Sequence, residues 1–387
     1  MKNAQAHLGS PAERLTSSRS LSRYLRQLTL RSVCLALLLG LSVALASPSS
    51  GALLLDDDWD DGDRTDTNLP EESAWYANNT GIPGIPTLSA GAGSLTGNVR
   101  MFETNTSSRL WITHYTPAGS PVELGLKDVL KITLVFTPSN VTTLSASTRG
   151  LRIGLFNFSE PGAARVSGDG FSTGAGAGAP GANVTGYILN MNFAQILTNS
   201  PLEIMKRTDT TNINLMGASG VFTRLGIGGG PAGAPGFSNG MSYTLEFSIK
   251  RNPNSVEITT TFSDTNGWSI TQTATDPSNP TFRFDGFAMR PNSVADAADA
   301  FVFTRFKAET FPFTPRISSI LLSTFDAQIT WETLPDRMYQ LQARASWGTG
   351  DSWMLLHEVT AAGDSESFTD RDFTSREQRF YRVLQLP

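Results

Sequence analysis

Cysteine is nearly missing from this 387-residue chain; Cys34 is the only one. It lies in an apolar run near the amino end, so a chain that has lost that run holds neither thiol nor disulfide. This excludes cysteine nucleophiles, zinc–thiolate sites and iron–sulfur clusters. Histidine is scarce as well, and only His114 and His357 lie beyond residue 46. The apolar run itself, Val33–Leu45, covers 13 residues, short of the ~20 that a spanning helix needs. Helical periodicity is also lacking. No stretch keeps a convincing apolar stripe over three turns, and Phe193–Met205 is the best of the poor candidates for a short helix or turn.

The amino end reads as an address. Lys2, Arg14, Arg19, Arg23, Arg26 and Arg31 face one acid, Glu13, and are followed by the apolar run and Ala44-Leu45-Ala46. A basic region, a short apolar region and an Ala-x-Ala end make a secretory signal peptide spanning 1–46. The residues before Cys34 are wrong for a lipoprotein cleavage site. Losing the segment removes six basic residues and one acid from totals of 30 and 35, leaving 24 and 34 and a net charge of −10. Such a chain is a poor partner for nucleic acid or anionic membrane surfaces, and no membrane insertion of the mature chain is expected.

Beyond residue 46 the chain reads as β-strand. The acidic stretch Asp56–Tyr76 opens the mature protein, carries Trp59 and Trp75, and is expected to lead into the first strand. Short runs of period two follow: Leu110–Tyr115, Leu130–Phe136, Leu151–Phe158, Tyr187–Phe193, Ser242–Lys250, Val256–Phe262, Trp268–Gln272, Phe282–Met289 and Phe301–Phe306. In Ser242–Lys250, Tyr243, Leu245, Phe247 and Ile249 face one way, and Glu246, Ser248 and Lys250 the other. Many such runs separated by turn residues, among 35 Gly and 21 Pro, predict an all-β sandwich or barrel. Ser172–Gly181 and Gly226–Gly236 are expected to be flexible surface loops.

Phe311-Pro312-Phe313-Thr314-Pro315 marks a boundary, because two prolines stiffen the backbone and remove ladder donors. The expected plan is a large domain over 47–311, a linker at 312–315 and a small β-sandwich over 316–387. The small part has six strand-like runs: Ile317–Leu322, Ala327–Trp331, Met338–Ala343, Trp353–Val359, Ser365–Thr369 and Phe380–Leu384. Its expected core is Ile329, Trp331, Tyr339, Leu341, Trp353, Leu355, Phe368, Tyr381 and Val383.

Asp61-Gly62-Asp63-Arg64-Thr65 with Leu69-Pro70 and Ala74-Trp75-Tyr76, then Gly150-Leu151-Arg152-Ile153-Gly154-Leu155-Phe156-Asn157, resembles secreted bacterial members of the concanavalin A-like lectin/glucanase (laminin G-like) jelly-roll superfamily. The resemblance covers roughly Leu53–Phe311. Ile329-Thr330-Trp331-Glu332, Tyr339-Gln340-Leu341 and Arg379-Phe380-Tyr381-Arg382-Val383 are similar in outline to a fibronectin type III module. This implies a jelly-roll β-sandwich followed by a small β-sandwich. It leaves activity open, because the superfamily holds sugar binders, glycanases and adhesion modules.

Chemistry is sparsely signalled. The glycanases of that superfamily use Glu-x-Asp-x-x-Glu, which is missing, and Glu246 and Glu257 stand alone on their strands. Its lyases use Gln-x-His, and Gln195-Ile196-Leu197 lacks the histidine. No Gly-x-Ser-x-Gly elbow accompanies a histidine base, and the Gly-rich loops lack the strand–helix context of a phosphate cradle. No catalytic residue is assigned. His114, on a strand face with Leu110 and Ile112, is expected as a hydrogen-bonded core or rim residue, and His357 as a surface one. Two readings of the acidic run stand: a structural calcium held by Asp58, Asp61 and Asp63, whose oxygens suit that ion, or a solvated acidic turn. The EF-hand spacing fails at Trp59. Sugar stacking would draw on Trp59, Trp75, Trp111 or Trp268 beside Asn190-Met191-Asn192, although a tryptophan in an alternating strand is more often core. Trp347–Asp351 faintly echoes an Asp-box turn, and the sequons at Asn78, Asn105, Asn140, Asn157 and Asn183 read as chance. The expected protein is secreted and binds polysaccharide or cell-surface glycan, or serves adhesion; a structural surface protein is the alternative and a divergent glycan-active enzyme the third. The intact mass of exported protein is expected to begin at Ser47; a species retaining residues 33–45 in the membrane fraction overturns the cleaved-leader reading.

Overall fold

The computed structural model describes residues 51–79, 81–82, 85–100, 109–172, 179–217, 220–346, 352–373 and 378–386. The expected leader, the sequon at Asn105, the Trp347–Asp351 turn and the middle of the Ser172–Gly181 loop lie outside the described residues. Among the described residues the chain forms twenty-five strands, β1 to β25 in chain order, and no α-helix.

Two large antiparallel sheets stack as a jelly-roll sandwich. The first runs β16 (Ser269–Asp276), β15 (Ser255–Asp264), β14 (Tyr243–Asn252), β9 (Val129–Ser139), β19 (Ala300–Phe311), β6 (Ser94–Asn98) and β5 (Leu88–Gly91), with β1 (Ala52–Asp57) on the later half of β19. The second runs β13 (Phe222–Gly228), β12 (Leu202–Arg207), β11 (Thr185–Met191), β10 (Leu151–Asn157), β18 (Gly286–Pro291), β7 (Trp111–His114) and β2 (Trp75–Ala77). Two short ladders, β3 (Gly81–Ile82) with β4 (Ile85–Pro86) and β8 (Val122–Glu123) with β17 (Arg283–Phe284), lie apart from these.

Period-two patterning fixes which face is buried. On β9, Leu130, Ile132, Leu134 and Phe136 turn inward; on β14, Tyr243, Leu245, Phe247 and Ile249 do, while Glu246 and Lys250 stay exposed. The second sheet answers with Leu151, Ile153, Leu155, Tyr187, Leu189, Met191, Phe287 and Met289. Each fully buried large apolar side chain contributes about 1.5–3 kcal/mol. In β19 the phase changes. The register slips between Phe303 and Arg305, so Phe301 and Phe303 face in before the slip and Phe306 and Ala308 after it. One extra residue in a strand has this effect.

The carboxyl-terminal strands make two three-stranded sheets, β20 (Ile317–Leu322), β21 (Ala327–Glu332) and β24 (Ser365–Asp370) against β23 (Met354–Thr360), β22 (Met338–Arg344) and β25 (Phe380–Gln385). Ala327, Ile329, Trp331 and Leu341 form their buried centre, with Leu356, Val359, Phe368, Tyr381 and Val383 packed against it. Lys127 ties this part to the large sandwich. Its Nζ donates to Thr333 O at 2.7 Å and pairs with Asp364 at 3.3 Å, while Phe313 N donates to Asp128 Oδ1 at 2.8 Å.

Five expectations need correction. Trp353 is not core: it is half-buried, with the guanidinium groups of Arg344 and Arg382 over its ring at 4.6 and 4.3 Å. Phe193–Met205 is not helical, because its later part enters β12. The Gly226–Gly236 loop begins inside β13, where Gly226 and Gly228 face the neighbouring Gln272 and Ala274 without a side chain in the way. The acidic run follows the first strand rather than leading into it, since β1 already includes Asp56 and Asp57. Leu355 is half exposed at 50% instead of being core: a register shift in the β22–β23 ladder turns Leu356 inward in its place.

The two large sheets meet very closely at Gly97 on β6. A Cβ there would lie 2.5 Å from the Trp111 ring of the opposite sheet. Gly97→Val is therefore expected to lower stability by about 1–3 kcal/mol through overpacking. Urea midpoints of the two proteins check this, and an unchanged midpoint rejects the close-approach argument.

Candidate functional site

The outer face of the second sheet is largely sealed. Its outward residues Ile112, Phe156, Ile188, Met205 and Ala288 join Phe158, Val166, Leu215 and Met216 from covering loops in a second apolar cluster. Polar staples hold the covers down. Asp285, fully buried, accepts from Phe158 N at 2.7 Å, Ser159 Oγ at 2.6 Å and Arg165 Nη1 at 3.4 Å. Asp169 accepts from Arg64 Nη2 at 2.6 Å and Ala77 N at 2.9 Å. Arg207, buried, donates to the carbonyls of Gly181, Val184, Asn212, Asn214 and Leu215.

One rung of this face departs from the apolar rule. Arg290 of β18 lies opposite Arg152 of β10, Arg152 opposite Asn190 of β11, and Asn190 opposite Glu203 of β12. Side chains in register on one face of neighbouring strands sit about 4.5–5.5 Å apart at Cβ. A cavity of about 60 Å³ opens here, lined by Arg149, Arg152, Asn190, Met205, Met216 and Phe222 among others. Arg152 Nη1 donates to Met216 O and to Gly217 O, and Arg290 Nη1 donates to Met216 O at 2.6 Å. Asn190 Nδ2 donates to Glu203 Oε2 at 3.3 Å, Glu203 Oε1 accepts from Arg224, and the buried Asn190 Oδ1 has no hydrogen-bond partner. Burial, with Arg290 and Arg149 adding to it, holds the Arg152 guanidinium down at about 9. Burial lowers Arg290 as well.

Most of the sequence-predicted groups lie elsewhere. Trp59, Trp75 and Trp111 are buried at 2% or less, so none is a sugar platform. Trp75 packs on Phe303 and Phe306, and Trp111 on Phe301 and Phe303. Trp268 is half-buried, its Nε1 donating to Pro235 O at 3.0 Å. Asn192 is buried and ties down Ser145 O and Ser147 O at 2.9 Å each. His114 is a core residue, as expected: its Nε2 lies 3.2 Å from Val166 O, its ring meets Phe158 edge-on, and burial pushes it down to about 3. His357 is half-buried and stacks on Phe368 instead of standing at the surface.

Asp58, Asp61 and Asp63 are exposed and bind their own turn. Asp58 Oδ1 accepts from Asp60 N at 3.3 Å, Asp61 Oδ1 from Asp63 N at 3.0 Å, and Asp63 Oδ1 from Thr65 N at 2.7 Å and Thr65 Oγ1 at 2.8 Å. Among the described residues no three acidic, histidine or cysteine side chains gather as a metal-ligand group. The turn is anchored by Trp59, which adopts a left-handed φ of 56° and packs on Trp75 with ring centroids 5.8 Å apart and planes tilted by 60°. Its carbonyl accepts from Gly62 N at 3.0 Å and Gly93 N at 2.8 Å.

Sequence reasoning missed the Arg149–Arg152–Arg290 cluster. A signal was there: Arg152, Asn190 and Arg290 each interrupt an otherwise apolar strand. Their sequence separation hid the fact that they share one rung.

No family model matches the chain, and no curated protein matches it. Among solved structures, lectin II from Ulex europaeus is 12% identical, covering 64% of this chain and 97% of its own, with a TM-score of 0.33. Peanut lectin is 10% identical over 63% and 100%, at 0.32. The exoplasmic/lumenal domain of VIP36 in its Ca2+/Man3GlcNAc-bound form is 12% identical over 62% and 85%, at 0.34. Likeness of this size assigns no ligand to this chain.

Asp57 gives the anchored turn a pH signature. Its carboxylate is buried and accepts from Trp59 N at 3.1 Å, yet burial pushes it up from 3.8 to about 6. The folded protein therefore keeps a proton that the unfolded chain has released between pH ~4 and ~6. That contribution to stability is full below pH ~4 and is lost as pH rises through about 6. Asp57→Asn removes the term, so its stability relative to the parent is expected to improve by on the order of 2–3 kcal/mol from pH 4 to pH 7. Chemical denaturation at both pH values measures it, and a constant difference refutes the assignment.

Proposed function

We propose that this is a secreted carbohydrate-binding or adhesion protein without catalytic activity, engaging glycan at the Arg152–Asn190–Glu203 rung. The observation that carries the reading is this rung itself. It is a place where the second sheet sets buried donors and an acceptor around a small cavity beside a half-buried ring, Phe222, instead of continuing the apolar cluster. Polar groups converging beside an aromatic ring suit hydroxyl recognition. Among the described residues Glu203 is the one carboxylate on the rung, and Arg224 engages it. Two-carboxylate hydrolysis needs a second at about 5–10 Å.

In this reading the chain divides at 312–315, with the small sandwich as spacer or attachment, and a structural calcium sits at Asp58, Asp61 and Asp63. Support for the calcium is the density of exposed carboxylates in one short turn. A second reading, a structural surface protein with no small-molecule site, draws support from the burial of Trp59, Trp75 and Trp111.

Retention of the purified protein on a panel of soluble and insoluble polysaccharides, with calcium and with chelator, separates these readings. Retention on one glycan class is expected, and its loss with chelator brings the acidic turn into the binding state. Folded protein that is retained on nothing supports the structural reading.

A further inference from the structure

Two arginines stand directly opposite each other in the β10–β18 ladder, Arg152 and Arg290, and Arg152 lines the cavity together with a third, Arg149. Like charges in that position are destabilising unless something answers them. For Arg152 the answer is incomplete: its Nη1 shares the Met216 carbonyl with Arg290 and reaches Gly217 O besides. Among the described residues no carboxylate forms an ion pair with Arg152 or Arg149, and the nearest acid on the rung, Glu203, is engaged by Arg224.

Arg207 shows what a completed buried arginine looks like in this fold. Its Nε, Nη1 and Nη2 all donate, and five carbonyls receive them. Arg152 is nearly as buried, at 6%, yet among the described residues it donates through Nη1 alone. Buried cations are ordinarily paired, and a guanidinium edge matches two oxygens of a carboxylate or a tetrahedral oxyanion with two parallel hydrogen bonds. The buried Asn190 Oδ1, also without a partner, adds an acceptor for a hydroxyl beside that edge.

Resting on the glycan reading above, we infer that the cavity lined by Arg149 and Arg152 is an anion site for the oxyanion substituent, carboxylate or sulfate ester, of an acidic saccharide. The volume of about 60 Å³ admits such a substituent but no pyranose ring, which would stay outside, against Phe222. The rest of the molecule works against loose attraction of anions. With a net charge of −10 beyond residue 46, adherence of a polyanion must come from this local cluster and not from the general field.

The test is retention and titration of the purified protein with polygalacturonate, dextran sulfate and neutral dextran and galactan at two salt concentrations. Preference for an acidic polymer over the neutral ones by about tenfold or more is expected. Preference for the uronate identifies a carboxylate, and for dextran sulfate a sulfate ester. Arg149→Gln, at a half-buried rim position, is expected to weaken acidic-polymer binding about three- to tenfold, and Arg149→Glu further. Arg152→Gln, with folding checked by circular dichroism, should abolish the preference. Lys131→Gln removes one positive charge from the outer face of the other sheet and should change nothing. Equal binding of neutral polymer with Arg149 variants indifferent overturns the anion site and leaves the glycan reading standing. A Lys131→Gln loss equal to that of Arg149→Gln overturns it too. No retention on any polymer overturns both.

Discussion

Without disulfides beyond residue 46, the fold depends on one constraint: β19 must present aromatic side chains to the core along its whole length. A regular strand of its composition would not. Phe301 and Phe303 share one parity and Phe306 the other, and the slip after Phe303 reconciles them. Trp75 then lies against both Phe303 and Phe306, and Trp111 against both Phe301 and Phe303, so the second sheet is docked across the irregularity. The same slip turns Arg305 outward, where its guanidinium meets Asp56 through two 2.7 Å bonds. A local backbone irregularity thus sets the sheet-to-sheet register and ties down the first strand.

The acidic turn follows from that docking. Trp59 needs a left-handed backbone to point its ring at Trp75, and Asp57 stabilises that conformation by accepting the Trp59 N–H. Its carboxylate is buried as a consequence, and that burial raises its pKa. Asp58, Asp61 and Asp63 stay exposed and accept from amides of the turn. The most acidic stretch of the chain is thus organised by a buried aromatic contact.

The parts of this architecture that were legible in the sequence are those ruled by strict alternation. Ser242–Lys250 and Leu130–Phe136 show their buried faces on inspection, and so do most strands of the small sandwich. Alternation fails wherever a ladder slips, which is why Leu355 was expected inside and Leu356 takes its place. It also fails to separate a covered outer face from a core. Phe156 and Ile188 lie outside the main core yet are buried, because loops pinned by Asp285 and Arg207 close over them. The candidate site was the least legible part. Residues 152, 190, 203 and 290 are brought together only by the ladders β18–β10–β11–β12, and no local motif encodes that order.

Burial of Trp59, Trp75 and Trp111 takes three flat rings away from neutral-sugar recognition, in which a ring is laid on a pyranose face. What the second sheet leaves open is charge and hydrogen bonding, concentrated in one rung and bordered by one half-buried phenylalanine. Sealing the rest of the face has an electrostatic effect: Arg152 is buried, so its interaction with an anion is screened less than at the surface. The Met216 carbonyl that partly satisfies Arg152 and Arg290 belongs to one of those loops. Cover and site are therefore coupled. Whatever loosens the 208–217 segment also withdraws the carbonyl that holds two guanidinium groups side by side, and Arg207, with five bonds into and around that segment, is the residue that keeps it in place.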